Sequence, residues 1–192
     1  FNNVKYVSHW PSHMYFNIWL TRHISGGANG YAQYPGTAFT YGGPWETYGP
    51  TIRSYEWGTI GSSASDGRVA THEIGHCLGL YHTFLSFSTG CGAECDTTGD
   101  EVCDTPPTTP TYNCDTSNLC TNDLSGPSTF TIDMPDQLEN YMSYNDCQNL
   151  FTLGQKERMR GFLTTLDTLN GLYLDDNLIA TGLIQPTAIV QL

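Results

Sequence analysis

One short segment constrains this chain more than any other, the stretch HEIGHCLGLYH at residues 72–82. On a helix, His72 and His76 are one turn apart and project from the same face, which is the geometry two imidazoles need to share one metal ion. Gly79 adopts a left-handed conformation without a Cβ penalty, so we expect it to end the helix and turn the chain back. That turn brings His82 towards the same ion from another direction.

The same segment predicts a catalytic metal rather than a structural one. Three neutral imidazoles leave the fourth position of a tetrahedral Zn²⁺ open to water, and zinc lowers the pKa of that water from about 15.7 to about 7. Glu73 lies beside the ligands, where it can take a proton from the water without binding the metal. HExxH alone occurs by chance in unrelated proteins, but the added glycine and third histidine make coincidence improbable. The motif therefore predicts a zinc centre with Glu73 as the general base.

Size and charge limit the partners of this chain. Its 192 residues suffice for one domain with a hydrophobic core, or for two closely joined subdomains. The formal net charge is −12, from 7 Lys and Arg against 19 Asp and Glu, so the surface repels nucleic acid and anionic lipid. We expect neither as a partner, whereas a protein or peptide substrate is expected. The charge has a simpler interpretation as an aid to solubility, and no feature indicates an oligomeric state.

Cysteine usage predicts an oxidising location. Six of the seven cysteines fall between residues 91 and 147, in a stretch rich in Asp, Thr, Gly and Pro that favours disulfides over apolar burial. A zinc knuckle at Cys91 and Cys95 is less favoured, because paired C-x-x-C spacing is absent. Cys77 lies in an apolar helical run and is expected to be a buried free thiol. The expected disulfides predict a secreted or cell-surface protein. The sequence has no apolar run long enough to span a membrane and no signal peptide, so we expect any export signal to lie outside this chain.

Local patterns in the first part of the chain predict strands and one helix. Aromatic and β-branched residues over 14–20 favour a buried strand, and the bulky positions of 51–60 favour an edge strand. Ser65 or Asp66 is expected to cap the helix that carries His72.

The second part of the chain has weaker signals. Residues 83–137 are long and irregular. A helix is expected to begin at Thr152, with Gln155 completing a capping box. The tail after Gly171 is expected to be a short strand or a linker.

The motifs carry a family resemblance. HExxHxxGxxH at 72–82 resembles the metzincin signature, and NYMSY at 140–144 resembles the Met-turn that metzincins have downstream. Within that group the chain resembles the pappalysin family over residues 16–166. The matching stretches are FNIWL (16–20), GYAQYPG (30–36), GTIG (58–61), GRVATHEIGHCLGLYH (67–82), GDEVCDTPP (99–107), NYMSY (140–144) and FTLGQKERMR (151–160).

The resemblance implies roles for residues outside the zinc motif. Met142 would form an apolar floor beneath the metal, and the hydroxyl of Tyr144 would stabilise the oxyanion of the intermediate. Asp146, shortly after the Met-turn, would line a pocket for Arg or Lys after the scissile bond. A structural calcium would be held by Asp100, Asp104, Thr105 and the carbonyl of Val102. The implied disulfides are Cys114–Cys147, Cys95–Cys120 and Cys91–Cys103.

The fold we expect is α+β and zincin-like, with the active-site helix above the cleft. A twisted mixed sheet and this helix would form an upper subdomain (about 1–79). An irregular, disulfide-stapled lower subdomain (about 80–170) would carry the C-terminal helix. Together they would make a catalytic domain over 1–170, followed by a tail or linker at 171–192. An extended substrate would pair with an edge strand near Tyr55–Gly58.

The predicted function is that of a secreted zinc-dependent endopeptidase, preferring Arg or Lys after the scissile bond. Two alternatives compete with it. One is a non-catalytic secreted module in which metals brace a binding or adhesion surface, although a base beside an open metal position argues against it. The other is a metzincin peptidase of a different family, which would share only the zinc site.

Overall fold

The computed structural model describes residues 3–35, 45–58, 66–84, 91–92, 94–115, 118–124, 126–127 and 129–185. Its architecture is α+β, as predicted, and short elements alternate with long connections. The helices are α1 (Asn3–Val7), α2 (Arg68–Cys77), α3 (Leu153–Thr165), α4 (Asp167–Asn170) and α5 (Asp175–Ala180). The strands are β1 (Trp19–Thr21), β2 (Gly30–Tyr31) and β3 (Thr51–Arg53), and 3₁₀ turns cover Trp45–Thr47, Ser54–Glu56 and Gly171–Tyr173. None of the described helices is both long and apolar enough to cross a bilayer.

The three strands form a small mixed sheet in the order β1-β3-β2. β1 runs parallel to β3, with Trp19 opposite Thr51, and β2 runs antiparallel to β3. The expectation of an edge strand over 51–60 was therefore wrong, because β3 has a neighbour on both sides and ends at Arg53. Residues 59 and 60 lie outside the described part of the chain.

The strand predicted over 14–20 is shorter than its composition suggests. Only Trp19–Thr21 pairs with a neighbouring strand. The residues before it belong to a turn in which the backbone N–H of Tyr15 donates to the carbonyl of Pro11. The Asn17 amide then accepts from Trp10 N–H and donates to the Trp10 carbonyl, both at 2.8 Å. A side chain thus satisfies backbone groups that a longer strand would have paired, and composition does not reveal this.

The helix of the zinc motif begins slightly later than predicted. Its first residue is Arg68, and the cap position is taken by Gly67 with φ +79°. Asp66 lies one residue before the cap, yet its carboxylate still accepts the N–H of Arg68 at 2.9 Å. Ser65, the other predicted cap, lies outside the described residues.

The end of α2 follows the prediction. Gly79 has φ +87°, and the N–H of Leu80 donates to the carbonyl of Gly75 at 3.0 Å. The N–H of Gly79 donates to the carbonyl of His76, also at 3.0 Å, which completes a Schellman motif. A side chain at position 79 would also collide with Phe162 of α3, because a Cβ there would lie 2.2 Å from its ring. The glycine is therefore required by both its backbone angle and its packing.

Disulfides hold a long region without regular structure. Between Phe84 and Asn140 the described residues include no helix or strand, as predicted. Cys114 bonds to Cys147, the pair that the family resemblance implied. The other two expected bridges were wrong. The structure pairs Cys91 with Cys120 and Cys95 with Cys103.

A local turn explains the exchanged partners. The N–H groups of Thr97 and Thr98 donate to the Glu94 carbonyl, so the chain folds back directly after Cys95. This brings Cys103, only eight residues away in sequence, to a Cα–Cα distance of 4.9 Å. Cys91 is then left to bond with the more distant Cys120.

The C-terminal helices pack against α2. Thr152 and Gln155 form the predicted capping box of α3, each side chain bonding to the backbone of the other. The C-terminal helices and α2 meet in a core cluster of Tyr48, Cys77 of α2 and Leu169 of α4. Cys77 is buried and free, as expected. In the described part of the tail, up to residue 185, the chain forms a 3₁₀ turn and α5 and no strand. The side chains that pack on this cluster are Phe16, Ala32, Trp45, Phe162, Leu163, Leu166 and Leu172.

Candidate active site

The structure brings the three motif histidines together. The Nε2 atoms of His72, His76 and His82 lie 3.1 Å from one another, pair by pair. His72 and His76 project from adjacent turns of α2, and the Schellman turn at Gly79 returns the chain so that His82 completes the triangle. No other cluster of metal-ligating side chains this tight occurs in the described ranges.

Backbone carbonyls fix the orientation of two of these rings. Nδ1 of His72 lies 2.6 Å from the Tyr141 carbonyl, and Nδ1 of His76 lies 2.7 Å from the Leu80 carbonyl. A carbonyl accepts only, so each Nδ1 carries the proton and each Nε2 keeps its lone pair. Burial is the largest cause that lowers the pKa values, to about 4 for His72, about 3 for His76 and about 2 for His82. All three rings are therefore neutral at physiological pH.

This donor set fits a zinc ion. Zn²⁺ binds imidazole nitrogen at about 2.0–2.1 Å, which puts two ligands of a tetrahedral ion roughly 3.3 Å apart. The 3.1 Å separations of the Nε2 atoms are close to that spacing. Three lone pairs that converge without a shared proton repel one another, and a cation between them removes the repulsion. The carbonyl partners of the Nδ1 atoms match the way that zinc-binding histidines are normally oriented.

Glu73 is buried beside the ligands and faces the sheet. Its carboxylate lies against Gly30 of β2, where a Cβ would approach Oε1 to 2.6 Å. Burial raises the pKa of Glu73 to about 8, and the nearby Lys5 ammonium opposes that rise. A cation held by the three imidazoles would act in the same direction as Lys5 and lower the pKa of Glu73. Glu73 therefore has the position and the environment of a group that can exchange a proton in the cleft.

Met142 lies directly beneath the metal-site helix. It is fully buried, and its Sδ lies so close to Gly75 that a Cβ there would approach it to 2.6 Å. The Asn140 side chain accepts the N–H of Met142 at 2.9 Å and so shapes this turn. Met142 thus has the position expected of a Met-turn residue, under the histidines and not among them.

Tyr144 packs into the aromatic group around the third histidine. Its ring centroid lies 4.8 Å from those of His82 and Phe84, and 5.8 Å from that of His72. Burial raises its pKa, so the phenol keeps its proton at neutral pH. Tyr112, which is mostly exposed, stacks on Tyr144 at 6.1 Å. The hydroxyl of Tyr144 is thereby carried by a ring fixed beside the metal centre.

The four residues predicted to hold calcium are occupied by internal hydrogen bonds. Asp100 accepts from Val102 N–H, Thr105 Oγ1 and Gln155 Nε2. The Val102 carbonyl accepts the N–H of Thr105 at 3.0 Å. A calcium ion needs six to eight oxygen ligands, and a carboxylate oxygen that accepts one hydrogen bond keeps a lone pair for a cation, so the calcium site stays a prediction.

Asp104 caps the N-terminus of α3. It accepts from Thr152 Oγ1 at 2.7 Å and from Gly154 N–H at 2.8 Å, at the first turn of α3. Both of its carboxylate oxygens are therefore satisfied at a helix N-terminus, where negative charge is favoured.

A cleft of about 900 Å³ runs past the metal centre. One wall is formed by residues 26–32 and Tyr34, the other by Tyr112 and residues 144–146 and 148. Asp146 is exposed on the second wall. No described residue donates a hydrogen bond to its carboxylate or forms an ion pair with it. The strand along the cleft is β2, so the expectation that Tyr55–Gly58 provides this edge was wrong.

Several residues of the site were not found by sequence reasoning. Tyr34 lies with its ring 5.2 Å from that of His76. Lys5 is buried below the sheet, near Glu73. Arg68 joins α2 to the loop after the Met-turn. Gly30 and Tyr34 belong to the stretch GYAQYPG, which matches the family but does not indicate what either residue contacts. No feature of the sequence indicates that Lys5 is buried near the site.

Comparisons with known proteins agree with this geometry. The family model described as pregnancy-associated plasma protein-A, peptidase family M43, matches residues 2–164. An extracellular metalloprotease of Colletotrichum graminicola is 36% identical over 141 residues, covering 70% of this chain and 45% of that protein. Extracellular metalloprotease 1 of Coccidioides posadasii is 33% identical over 147 residues, covering 74% and 47%. The chain thus spans about half the length of the curated relatives it matches.

Solved structures show the same similarity in three dimensions. Mature mirolysin of Tannerella forsythia, in complex with a cleaved peptide, superposes with a TM-score of 0.66 at 32% identity. The alignment covers 93% of this chain and 62% of that one. Mirolysin in complex with compound 9 gives the same TM-score at 31% identity and the same coverage.

Proposed function

The chain belongs to peptidase family M43, the pappalysin family of metzincins, and on that premise we propose that it is a zinc-dependent metalloendopeptidase. The observation that carries the proposal is the triangle of Nε2 atoms with a buried carboxylate beside it in an open cleft. When bound by His72, His76 and His82, Zn²⁺ supplies Lewis acidity that polarises a peptide carbonyl and acidifies a water molecule.

Glu73 is the proposed general base. It takes a proton from the attacking water and passes it to the leaving amine when the peptide bond breaks. Its buried position beside Gly30 supports this role, because a desolvated carboxylate holds a proton more readily than an exposed one.

Tyr144 and Met142 have supporting roles in the proposal. The phenol of Tyr144 donates a hydrogen bond to the substrate oxygen as negative charge develops on it, a role supported by its protonated state and its packing beside His82. Met142 supports α2 from below through its contact with Gly75. A fixed helix keeps the two histidine ligands at a constant separation.

The substrate is proposed to lie extended in the cleft and to pair with the edge of β2. Asp146 is exposed on the opposite wall, its carboxylate has no partner among the described residues, and it is proposed to bind Arg or Lys after the scissile bond. The shape of the cleft and the sign of this charge support the preference.

A secreted location is proposed for the protein. Three disulfides support it, because such bonds persist in oxidising compartments, and the curated relatives are named extracellular metalloproteases. Structural calcium stays a prediction of the resemblance alone, because the hydrogen bonds that Asp100 and Asp104 accept from the protein neither require nor exclude a cation. The non-catalytic binding module is not favoured either, because a buried Glu73 beside three convergent imidazoles has no function in a purely structural site.

The test is hydrolysis of a mixed peptide library, with product sequencing. The wild-type protein is expected to cleave, and Glu73→Gln to lose about 10²- to 10⁴-fold in kcat while it still binds zinc. Glu157→Gln, an exposed change on α3, is the matched control and is expected to cleave normally. Full activity of Glu73→Gln would disprove the assignment of the base. Cleavage before Arg or Lys would support Asp146, whereas cleavage elsewhere would leave the peptidase and reject that pocket.

A further inference from the structure

Arg68 connects the metal-site helix to the loop that carries Asp146. We infer that it is a positioning residue for substrate specificity, which fixes the backbone of this loop while leaving the Asp146 carboxylate free for a basic side chain. The inference rests on the proposed function. Its observations concern neither the metal nor the general base.

The guanidinium of Arg68 makes three separate contacts. Nε donates to the carbonyl of Gln148 at 2.9 Å, and Nη1 donates to the carbonyl of Asp146. Nη1 also lies 2.6 Å from a carboxylate oxygen of Asp66. Arg68 is one helical turn before His72, so the same face of α2 that presents a metal ligand also holds the loop.

The choice of acceptors is the informative feature. Arg68 binds the carbonyl of Asp146 and not its carboxylate, although the residue offers both. Asp66 accounts for this, because its carboxylate accepts from both Nη1 and the backbone N–H of Arg68. The charge of Arg68 is therefore paired within its own turn, and the Asp146 charge remains available to the cleft.

The loop needs such an anchor on this side. The Cys114–Cys147 bridge ties it to residue 114, and the Gln148 side chain donates to the carbonyl of Ser143. Both of these contacts join residues of the same part of the chain, 91–150, which we call the lower region. Arg68 provides a direct hydrogen-bonded link from the loop to α2, so it sets the position of Asp146 relative to the helix of the metal ligands.

A role in positioning differs from a role in stability. The Arg68 and Asp66 side chains are about one-third and one-half exposed, and ion pairs that exposed contribute little to folding. A planar fork that spans two carbonyls, by contrast, is a geometric constraint that lysine does not reproduce. Substitutions here should therefore change the discrimination between substrates while the melting temperature stays nearly constant.

The experiment compares matched peptides with Arg or Leu after the scissile bond. The ratio of their kcat/KM values is expected to fall about tenfold in Arg68→Gln and to fall partly in Arg68→Lys. In Asp66→Asn the freed charge of Arg68 competes for the Asp146 carboxylate, so this ratio should also fall. Arg160→Gln, an exposed change on α3, is the control and should leave the ratio unchanged. Binding of the same peptides to Glu73→Gln variants gives a second measurement that needs no turnover.

The outcomes separate this inference from the function on which it rests. If Asp146→Asn abolishes the preference for Arg and the Arg68 and Asp66 variants lower it, the inference holds. If Asp146→Asn abolishes it but Arg68→Gln and Asp66→Asn retain the wild-type ratio, the inference is overturned and the peptidase stands. A wild-type enzyme that cleaves without preferring basic residues also overturns it. Absence of both cleavage and peptide binding would instead reject the proposed function.

Discussion

Two regions of the molecule build the same site by different means. In residues 66–84, backbone hydrogen bonds position the ligands: helix α2 spaces two histidines, and a Schellman turn brings the third towards them. In residues 91–150, helices and strands are absent from the described positions, and three disulfides with side-chain hydrogen bonds fix the chain. The comparison shows that ligand spacing is encoded locally, whereas the opposite wall of the cleft depends on crosslinks between distant residues.

The two regions also depend on each other. The Tyr141 carbonyl of the lower region orients the ring of His72, and Met142 packs under Gly75 of α2. A histidine pair with correct helical spacing thus still needs the second region to fix its tautomer and to support its helix. Both contacts come from the Met-turn, which explains why this short segment accompanies the zinc motif.

The largest expected effect on stability comes from breaking the lower region. Replacing Cys114 and Cys147 with alanine opens a crosslink with a sequence separation of 33 residues. The chain-entropy model gives a loss of about 3.7 kcal/mol in the free energy of unfolding. Denaturant unfolding under oxidising conditions measures the loss.

A second bridge serves as the control for that prediction. Replacing Cys95 and Cys103 removes a bridge with a separation of only eight residues, and the same model gives a loss of about 2.5 kcal/mol. If the shorter bridge proved the more stabilising, loop entropy would not be the reason that this region needs its crosslinks.

A smaller effect on stability is expected in the upper region, which has no disulfide among its described residues but contains a buried lysine. The Lys5 ammonium is fully buried and donates to Gln33 Oε1 and to the carbonyls of Thr47 and Gly49. Burial lowers its pKa to about 8, from an ordinary value near 10.5. The folded state therefore releases this proton at lower pH than the unfolded state, and the cost of the buried charge is greatest below pH 8.

Stability should accordingly rise with pH in a window set by Lys5. Between pH 7.5 and 9.5, the free energy of unfolding of a Glu73→Gln protein is expected to gain about 2 kcal/mol relative to the same protein with Lys5→Met. Glu73→Gln is present in both proteins because the Lys5 ammonium lowers the pKa of Glu73, so the contribution of Glu73 would otherwise not cancel. Urea unfolding of both proteins at the two pH values gives this difference. A difference that stayed constant, or fell with pH, would mean that Lys5 is not buried as a cation.

The sequence predicts the local features of this molecule and misses the distant ones. Helical spacing places His72 and His76, and a capping box defines the start of α3 at Thr152, because both depend on neighbours within one turn. The pairing of Cys91 with Cys120 depends on how a loop folds back, and no local pattern encodes it. In the same way, the amide of Asn17 shortened a predicted strand, and the burial of Lys5 contradicts its residue type.

The resemblance to a family predicted some of these distant features and not others. It implied the Cys114–Cys147 bridge, which the structure contains, and a Met-turn at Met142, a side chain that lies against Gly75 of α2. It also implied calcium ligands at Asp100 and Asp104, where this structure has internal hydrogen bonds. A motif carries over the positions of residues, whereas the partners of each side chain must be read from the structure.

Metal analysis of the purified protein determines whether His72, His76 and His82 together hold one zinc ion. Wild-type protein dialysed against zinc and then buffer should retain about one Zn²⁺ per chain, and His76→Ala should retain almost none while its disulfides remain intact. His9→Ala, at an exposed histidine, is the control and should retain the wild-type amount. Equal zinc content in His76→Ala and the wild type would show that the three histidines do not form the zinc site.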